Sequence, residues 1–117
     1  MSEPRCEVCP LKEYWEKKGA WAPVFGELNT SDTIIVGDAP GKQETIYGRP
    51  FVGPSAVAAV EAIGACGKER HDVAWTNVCA CRFPNDNEKE FTAKLKKQNR
   101  SRKNKSPTPM ECCRPRL

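Results

Sequence analysis

The residues best suited to chemistry in this chain lie in one segment, residues 34–53. An acid, Asp38, stands on a turn rich in glycine and proline, and an aromatic residue, Phe51, follows a short distance downstream. The β-branched run before Gly37 predicts a buried strand that would deliver Asp38 into a cleft at the carboxyl edge of a sheet. The turns that follow would direct Phe51 back toward Asp38. This arrangement predicts a pocket for a flat ligand; the alternative is that Asp38 caps a helix and Phe51 belongs to the core.

The seven cysteines are the second chemical feature of the chain. Their number is odd and no secretory signal is visible, so we expect a reducing compartment and no disulfide scaffold. Cys6 and Cys9 form a CxxC, whose spacing lets two thiolates point at one metal centre. Two further pairs are expected to contribute one ligand each: Cys79 with Cys81, and Cys112 with Cys113.

Four segments are predicted to position these residues. They are a short helix over residues 11–18, a strand over 33–36, a helix over 56–63 and a second buried strand over 73–78. A strand, a helix and a strand in this order begin a doubly wound α/β sheet. The predicted fold class is therefore α/β.

Length and composition indicate one small domain with a marginal core. The chain has 117 residues, of which 38% are hydrophobic, and its mean hydropathy is -0.65. A chain this short buries only roughly two-thirds of its unfolded surface, so a cofactor or partner that adds stability is expected. The most apolar stretch, residues 56–66, is interrupted by Glu61 and is too short to span a bilayer. We therefore expect a soluble, cytoplasmic protein that has no membrane partner.

Charge is distributed unevenly along the chain. Residues 1–88 contain 9 Lys and Arg against 13 Asp and Glu, whereas residues 89–117 contain 10 against 2. The segment 89–105 predicts a short solvated helix that passes into a flexible basic loop. Such a segment is either a solubilising surface or an arm that contacts phosphates.

The motifs, in their order and spacing, resemble the bacterial-type, iron-sulfur (family 4) uracil-DNA glycosylases. The resemblance rests on GDAPGKQE, GRPFVG and TNVCACR, with CEVC near the start and CRPRL at the end, and it runs through most of the chain. It implies a three-layer, doubly wound sheet of the uracil-DNA glycosylase type. The family's domain continues beyond a segment such as CRPRL, so we expect residues 1–117 to be the N-terminal portion of such a domain. Relative to the family, residues from about 88 to 106 are a basic insertion.

The resemblance also implies a function, which is the excision of uracil from DNA by hydrolysis of the N-glycosidic bond. A uracil flipped out of the duplex would stack on Phe51, and Asn77 would pair with its polar edge because an amide offers both a donor and an acceptor. Asp38 matches an acid, commonly glutamate, that positions water or stabilises the cationic sugar. Gly37 and Gly41 complete the expected uracil-binding set.

Uracil-containing DNA is the partner that the resemblance implies. Ser55 matches a small residue that approaches backbone phosphates. Beside these motifs we favour the phosphate-contacting interpretation of the basic segment, which would gain affinity through counterion release. The expected contacts are Lys96, Lys97, Arg100 and Arg102.

The resemblance assigns a [4Fe-4S] cluster to four thiolates, those of Cys6, Cys9, Cys81 and Cys113. Cys112 is the main rival for the fourth place, because the family usually has two more residues between its acidic helix start and that cysteine. Cys66 and Cys79 are expected to pack as small buried residues. Zinc bound by the same four thiolates is the alternative metal.

One family feature has no match in this chain. The family places a histidine, in an HPS-like loop of its second half, beside the uracil oxygen that gains negative charge. The only histidine here, His71, precedes the second predicted strand and is expected to be exposed. Such a donor is worth about 10²-10³ in rate, so this chain alone should be weak or inactive, and a complementary C-terminal chain is a possible partner. The alternatives are a catalytically silent, nucleic-acid-binding iron-sulfur module and a zinc-stabilised interaction domain.

Overall fold

The structure is a computed structural model that describes residues 3–117, apart from the side chain of Ser55. It has two strands, β1 (Ile34–Gly37) and β2 (Ala74–Asn77), and five α-helices. The helices are α1 (Pro10–Lys17), α2 (Lys42–Tyr47), α3 (Val57–Ala65), α4 (Glu88–Asn99) and α5 (Pro109–Cys113). Single turns of 3-10 helix lie at Cys6–Val8, Pro54–Ala56, Arg70–Asp72, Pro84–Asp86 and Arg114–Arg116. The described chain is therefore a mixed α/β fold, as predicted.

The two strands are parallel, and their carboxyl ends lie side by side. In their register, Gly37 of β1 is opposite Asn77 of β2. The pairing continues past the strand ends, because the Cys79 N–H donates to the Asp38 carbonyl at 2.9 Å. Parallel pairing with α3 between the strands confirms the strand–helix–strand order predicted from the sequence. It also brings the residues that follow each strand to one edge of the sheet.

The prediction that the first strand is buried is wrong for one of its faces. Ile34 and Val36 are 49% and 47% exposed, because no described segment covers that side of β1. By contrast, all four residues of β2 are buried. The face of β1 that points the other way contributes Ile35 to the core around Trp75.

The core consists of two clusters of buried side chains. One is built mainly from cysteines with two larger apolar residues, namely Cys9, Leu11, Cys79, Cys81, Phe83 and Cys112. The other is centred on Ile63, Val73 and Trp75, with Phe51 packed against it. Because the first cluster joins the amino-terminal segment to α5, residues far apart in sequence depend on each other for burial.

The predicted helices are present with small shifts at their ends, whereas α2 and α5 were not predicted. Helix α1 begins with Pro10, which suits a first helical position because its missing N–H has no partner there. Helix α4 begins after Asn87, whose side chain accepts from the Glu90 N–H at 3.0 Å. The basic segment after α4 folds back, since the Asn99 amide binds both the N–H and the carbonyl of Ser106. No helix in the described part has the length and apolar composition that crossing a membrane requires.

Candidate active site

An open cleft of about 600 Å³ lies at the carboxyl edge of the two strands. Asp38, Phe51 and Asn77 all line it, together with Gly41 and the loop at Gly53. Asp38 does not cap a helix, because the N-cap of α2 is Gly41. The structure thus brings together the acid, the ring and the amide that were singled out from the sequence.

The Phe51 ring and the Asn77 amide both pack closely against the backbone of Gly37. A Cβ atom at this position would lie 2.5 Å from the Asn77 Oδ1 and 2.8 Å from the Phe51 Cζ. Asn77 is only 4% exposed, so its amide has little freedom to move away. A glycine is therefore required here by the space available, because any side chain would separate the two groups that the cleft presents.

Phe51 has an unusual backbone conformation. Its φ is 52°, in the left-handed region that non-glycine residues seldom adopt. Its ring lies against Trp75, with the ring centroids 5.1 Å apart and the planes inclined by 52°. Backbone conformations of this kind persist only where the surroundings enforce them, and they are concentrated at functional sites.

Glu44 is a buried acid that sequence reasoning missed. Its carboxylate accepts hydrogen bonds from the N–H groups of Gly41 (2.9 Å), Val52 (2.9 Å) and Gly53 (2.5 Å). It therefore joins the turn after Asp38 to the loop that contains Phe51. One local signal was available, because an acid three residues after a helix N-cap is the capping-box position.

Arg70 lies on the other side of the same loop and was also missed. Its guanidinium donates to the carbonyls of Phe51 (2.7 Å) and Pro50, and it stacks over the Trp75 ring at 4.8 Å. It also pairs with Glu27 at 2.5 Å. Although burial opposes ionisation of Glu27, hydrogen bonds from Arg49 and Arg70 outweigh it and lower the pKa of this carboxyl. Nothing in the local sequence around Arg70 indicates these distant contacts.

The charges that line the cleft are mainly negative. Four acids contribute to its walls, whereas Lys42 is the only basic residue among the described lining; the acids are Asp38, Glu44, Asp86 and Glu88. Asp38 is exposed at the cleft, while Glu44 is saturated by backbone donors. Such a lining favours a group that gains positive charge and disfavours a phosphate.

Arg116 supports Asn77 from the carboxyl-terminal segment. Its guanidinium donates to the carbonyls of Asn77 (2.5 Å) and Phe25 (3.1 Å) and to the Thr76 hydroxyl (3.2 Å). The side chain is buried. The CRPRL motif therefore does more than supply a cysteine, since it also fixes the end of β2. The sequence offered no signal for this contact.

The four cysteines assigned to a cluster lie within electrostatic reach of one another. Burial raises the pKa of the Cys81 thiol to about 12, and the charges of Cys113, Cys9 and Cys6 add to the effect. A hydrogen bond from Cys79 lowers the pKa of Cys113 to about 6, with a further contribution from the Ala80 N–H. No three described Cys, His, Asp or Glu side chains converge closely enough to hold a single metal ion.

The remaining cysteines divide into two groups. Cys79 is fully buried, as predicted, whereas the prediction for Cys66 is wrong: it is exposed because it follows the last turn of α3, which faces solvent. Cys112 is buried and interacts with Cys9, and burial raises its pKa to about 12. The adjacent Cys112 and Cys113 thus have different partners, Cys9 for the first and Cys79 for the second.

The predicted DNA contacts lie outside the cleft. Lys96, Lys97, Arg100 and Arg102 are all exposed, at the end of α4 and just beyond it, and none of them lines the cleft. Arg102 donates to the Ser106 hydroxyl at 3.0 Å. The side chain of Ser55 lies outside the described part, although its backbone belongs to the turn Pro54–Ala56 beside Gly53.

His71 is exposed, as predicted, and is 3.5 Å from carboxylates of both Glu69 and Asp72. It precedes β2, whereas Asn77 ends that strand. The histidine therefore lies at the opposite end of the strand from the cleft.

Two parallel strands thus deliver Asp38 and Asn77 to one cleft beside the Phe51 ring. The chain belongs to the uracil DNA glycosylase superfamily, whose family model matches residues 23–117.

Relatives make the assignment more particular. The type-4 uracil-DNA glycosylase of Pyrobaculum aerophilum is 44% identical over 81 residues, which are 69% of this chain and 39% of the relative. The type-4 uracil-DNA glycosylase of Archaeoglobus fulgidus is 36% identical over 81 residues, which are 69% of this chain and 39% of the relative. That of Thermotoga maritima is 37% identical over 70% of this chain and 41% of its own length. The chain spans about two fifths of the length of these relatives.

Proposed function

We propose that this chain belongs to a DNA-repair enzyme that flips uracil out of DNA and hydrolyses its N-glycosidic bond. The observation on which this proposal rests is the convergence of the Phe51 ring and the Asn77 amide on the side-chain-free surface of Gly37. The ring offers a flat stacking surface at the cleft, and the buried amide beside it offers a fixed donor and acceptor. The names of the relatives point to the same activity.

Recognition of uracil is assigned to the ring and the amide. Phe51 stacks on the base, and Asn77 accepts from its ring N–H and donates to an exocyclic oxygen. Because Asn77 is buried, a base that could not complete this pairing would leave the amide unsatisfied, which disfavours binding. Gly37 and Gly41 allow the backbone to approach the base closely.

Catalysis is assigned to Asp38 and the negative lining of the cleft. As the bond between the sugar C1′ and the uracil N1 breaks, the sugar becomes cationic, and a nearby carboxylate stabilises that charge. Asp38 also accepts the proton of the water whose oxygen bonds to C1′. The electron pair of the broken bond leaves with uracil. No described histidine lies near the cleft to stabilise that leaving group, so excision by these 117 residues should be slow.

Binding of the DNA backbone is assigned to the basic surface that comprises Lys96, Lys97, Arg100 and Arg102, together with Ser55. The cleft is unsuited to phosphates because its lining is negative. Contacts to the backbone therefore have to come from outside it, and the exposed cations at the end of α4 are suited to that task. The four cations, unlike Ser55, belong to the basic insertion at about residues 88–106.

A [4Fe-4S] cluster is the cofactor we propose for Cys6, Cys9, Cys81 and Cys113. The donor set fits, because the four thiols lie within electrostatic reach of one another and each iron of such a cluster takes a single thiolate. The Trp21 indole N–H also suits a site of thiolates. It is buried and has no hydrogen-bond partner of normal geometry, and its interaction with the Cys81 thiol opposes the rise in the pKa of that thiol. When bound, the cluster would supply a structural cross-link between the amino-terminal turn and α5. Zinc bound by the same four thiolates is the alternative metal.

A complementary polypeptide is the last element of this proposal. Ile34 and Val36 form an exposed apolar face of β1 that a further polypeptide would cover. The same polypeptide would add strands to β1 and β2 and so complete a doubly wound, three-layer sheet. Such a polypeptide would also supply the missing histidine. Its effect can be measured by adding the downstream region of the Thermotoga maritima relative in trans and assaying uracil release.

The decisive experiment is the release of free uracil from single-stranded and duplex DNA. Asp38→Asn and Asn77→Ala should each reduce it, the first through the rate and the second through binding of the base as well. The second candidate function, a silent nucleic-acid-binding module, is favoured by the position of His71 far from the cleft. That module would bind DNA with the same affinity whether or not it contained uracil.

A further inference from the structure

The loop that presents the Phe51 ring is held from both sides by ions of opposite charge. Phe51 has the positive φ described above, so its ring would not face the cleft without some restraint on the backbone. The residues that supply this restraint are not part of the loop. Glu44 comes from α2, and Arg70 comes from the turn Arg70–Asp72.

The first restraint acts on the N–H groups. The Glu44 carboxylate accepts from Val52 at 2.9 Å and from Gly53 at 2.5 Å. Glu44 is 6% exposed, so water has little access to compete for these donors. The tight fit is visible at Gly53, where a Cβ atom would lie 2.9 Å from the carboxylate oxygen.

The second restraint acts on the carbonyl groups. The Arg70 guanidinium donates to the Phe51 carbonyl at 2.7 Å and also to that of Pro50. Arg70 is itself oriented by its pair with Glu27 and by stacking on Trp75. The same Trp75 ring packs against Phe51.

The two restraints meet on one peptide unit. The carbonyl of Phe51 is bound by Arg70, and the N–H of the same peptide, that of Val52, is bound by Glu44. Rotating this peptide would break both charge-assisted hydrogen bonds at once. Charge-assisted bonds are about twice as strong as neutral ones, so this plane is the best-restrained part of the loop.

We propose that Glu44 and Arg70 are positioning residues that lock the Phe51–Val52 peptide and so preset the Phe51 ring for stacking on a flipped pyrimidine. This inference rests on the proposed function. It assigns part of the affinity for the base to two residues that act through the backbone of the Phe51 loop. Preset geometry raises affinity because the loop need not be ordered when the base arrives.

The test uses Glu44→Gln and Arg70→Lys in the full chain. Each keeps the approximate size of its side chain but loses one part of the restraint: the glutamine exchanges an acceptor for a donor, and the lysine cannot reach two carbonyls in a fixed plane. Matched controls are Glu61→Gln on the exposed face of α3 and Arg49→Lys, since Arg49 also pairs with Glu27 but does not contact the Phe51 carbonyl.

Two readouts separate positioning from general loss of structure. Amide hydrogen exchange at Val52 and Gly53, followed by NMR below the unfolding transition of every variant, reports the restraint without any ligand. Binding of a single-stranded oligonucleotide with one uracil, compared with its thymine counterpart, reports recognition. Both variants should accelerate exchange at Val52 by about tenfold or more. Both should weaken uracil binding to a similar degree and leave thymine binding unchanged, while both controls behave as the unaltered chain does.

The proposal is overturned if exchange at Val52 is unchanged in both variants, or if exchange accelerates while the preference for uracil persists in full. Equal weakening of uracil and thymine binding also overturns it, because that result marks a structural role only. If the unaltered chain does not prefer uracil, the proposed function fails. The exchange rates at Val52 and Gly53 then still decide whether Glu44 and Arg70 restrain the peptide.

Discussion

Replacing Gly37 by alanine should weaken the recognition of uracil at the cleft while leaving the fold largely intact. The added Cβ would lie 2.5 Å from the Asn77 Oδ1 and 2.8 Å from the Phe51 Cζ, whereas real Cβ atoms essentially never approach closer than 3.0 Å. The amide must therefore move by at least about 0.5 Å and the ring by about 0.2 Å. Since Asn77 is buried and its strand is fixed by Arg116, the shift is transmitted to the pairing geometry.

The expected effect follows from these displacements. Overpacking a fitted site costs about 1–3 kcal/mol of stability, and a misplacement on the order of 1 Å reduces rates by about 10²-fold. A shift of roughly half that size should weaken uracil binding or excision by about tenfold. Gly37 has no positive φ, so backbone strain adds nothing to the effect.

The assay compares Gly37→Ala with Gly64→Ala by thermal unfolding and by uracil binding or release. Gly64 lies in α3, and a Cβ there meets nothing within 4 Å, so this control should gain roughly 0.5–1 kcal/mol of stability and recognise uracil normally. Unchanged uracil recognition in Gly37→Ala would refute the assignment of the Phe51 ring and the Asn77 amide to recognition of the base. A loss of similar size in Gly64→Ala would show that the assay responds to something other than the site.

Three further outcomes are expected. Anaerobically purified protein should contain iron and sulfide that Cys81→Ser and Cys113→Ser lose and the exposed Cys66→Ser retains; full content in Cys113→Ser with loss in Cys112→Ser would transfer the fourth ligand to Cys112. The slope of the logarithm of the duplex-binding constant against the logarithm of salt concentration should become shallower by roughly 3 to 4 when Lys96, Lys97, Arg100 and Arg102 are neutralised, at about 0.9 per phosphate contact. An unchanged slope would mean that these residues form only a solubilising surface. Because its pairing with arginines lowers the pKa of Glu27, the stability it contributes is present above its unfolded pKa of about 4.3 and is lost as pH falls through the folded value. Urea unfolding of Glu27→Gln should therefore show lower stability at pH 7 and a shallower loss in acid, and an acid limb identical to that of the unaltered chain would contradict this.

Local pattern was sufficient for both strands, for helices α1, α3 and α4, and for the chemical types at the site. Strand order, the first helix and the position of Asp38 after a strand all follow from short-range preferences of β-branched residues, proline and glycine. The motif order indicated that Phe51 and Asn77 belong to the same site. In the structure both residues line the same cleft, and parallel pairing places Asn77 opposite Gly37.

What the sequence left open depends on contacts between distant segments. The burial of β1 was overestimated, since a hydrophobic strand has the same pattern whether or not another segment covers it. Cys66 and Cys79 are chemically identical, and only their places in the fold make one exposed and the other buried. Local composition cannot distinguish such cases.

The supporting residues of the site show the same division most clearly. Glu44 had a partial local signal, its capping-box position, but the two N–H groups of the Phe51 loop that it also binds lie eight and nine residues away. Arg70 and Arg116 reach their carbonyl partners across 19 and 39 residues, and no periodicity records such a pairing. The sequence by itself determined which side chains could act on a flat base. Tertiary structure decided what holds them in place, because a buried charge binds whichever backbone groups the folded chain presents to it.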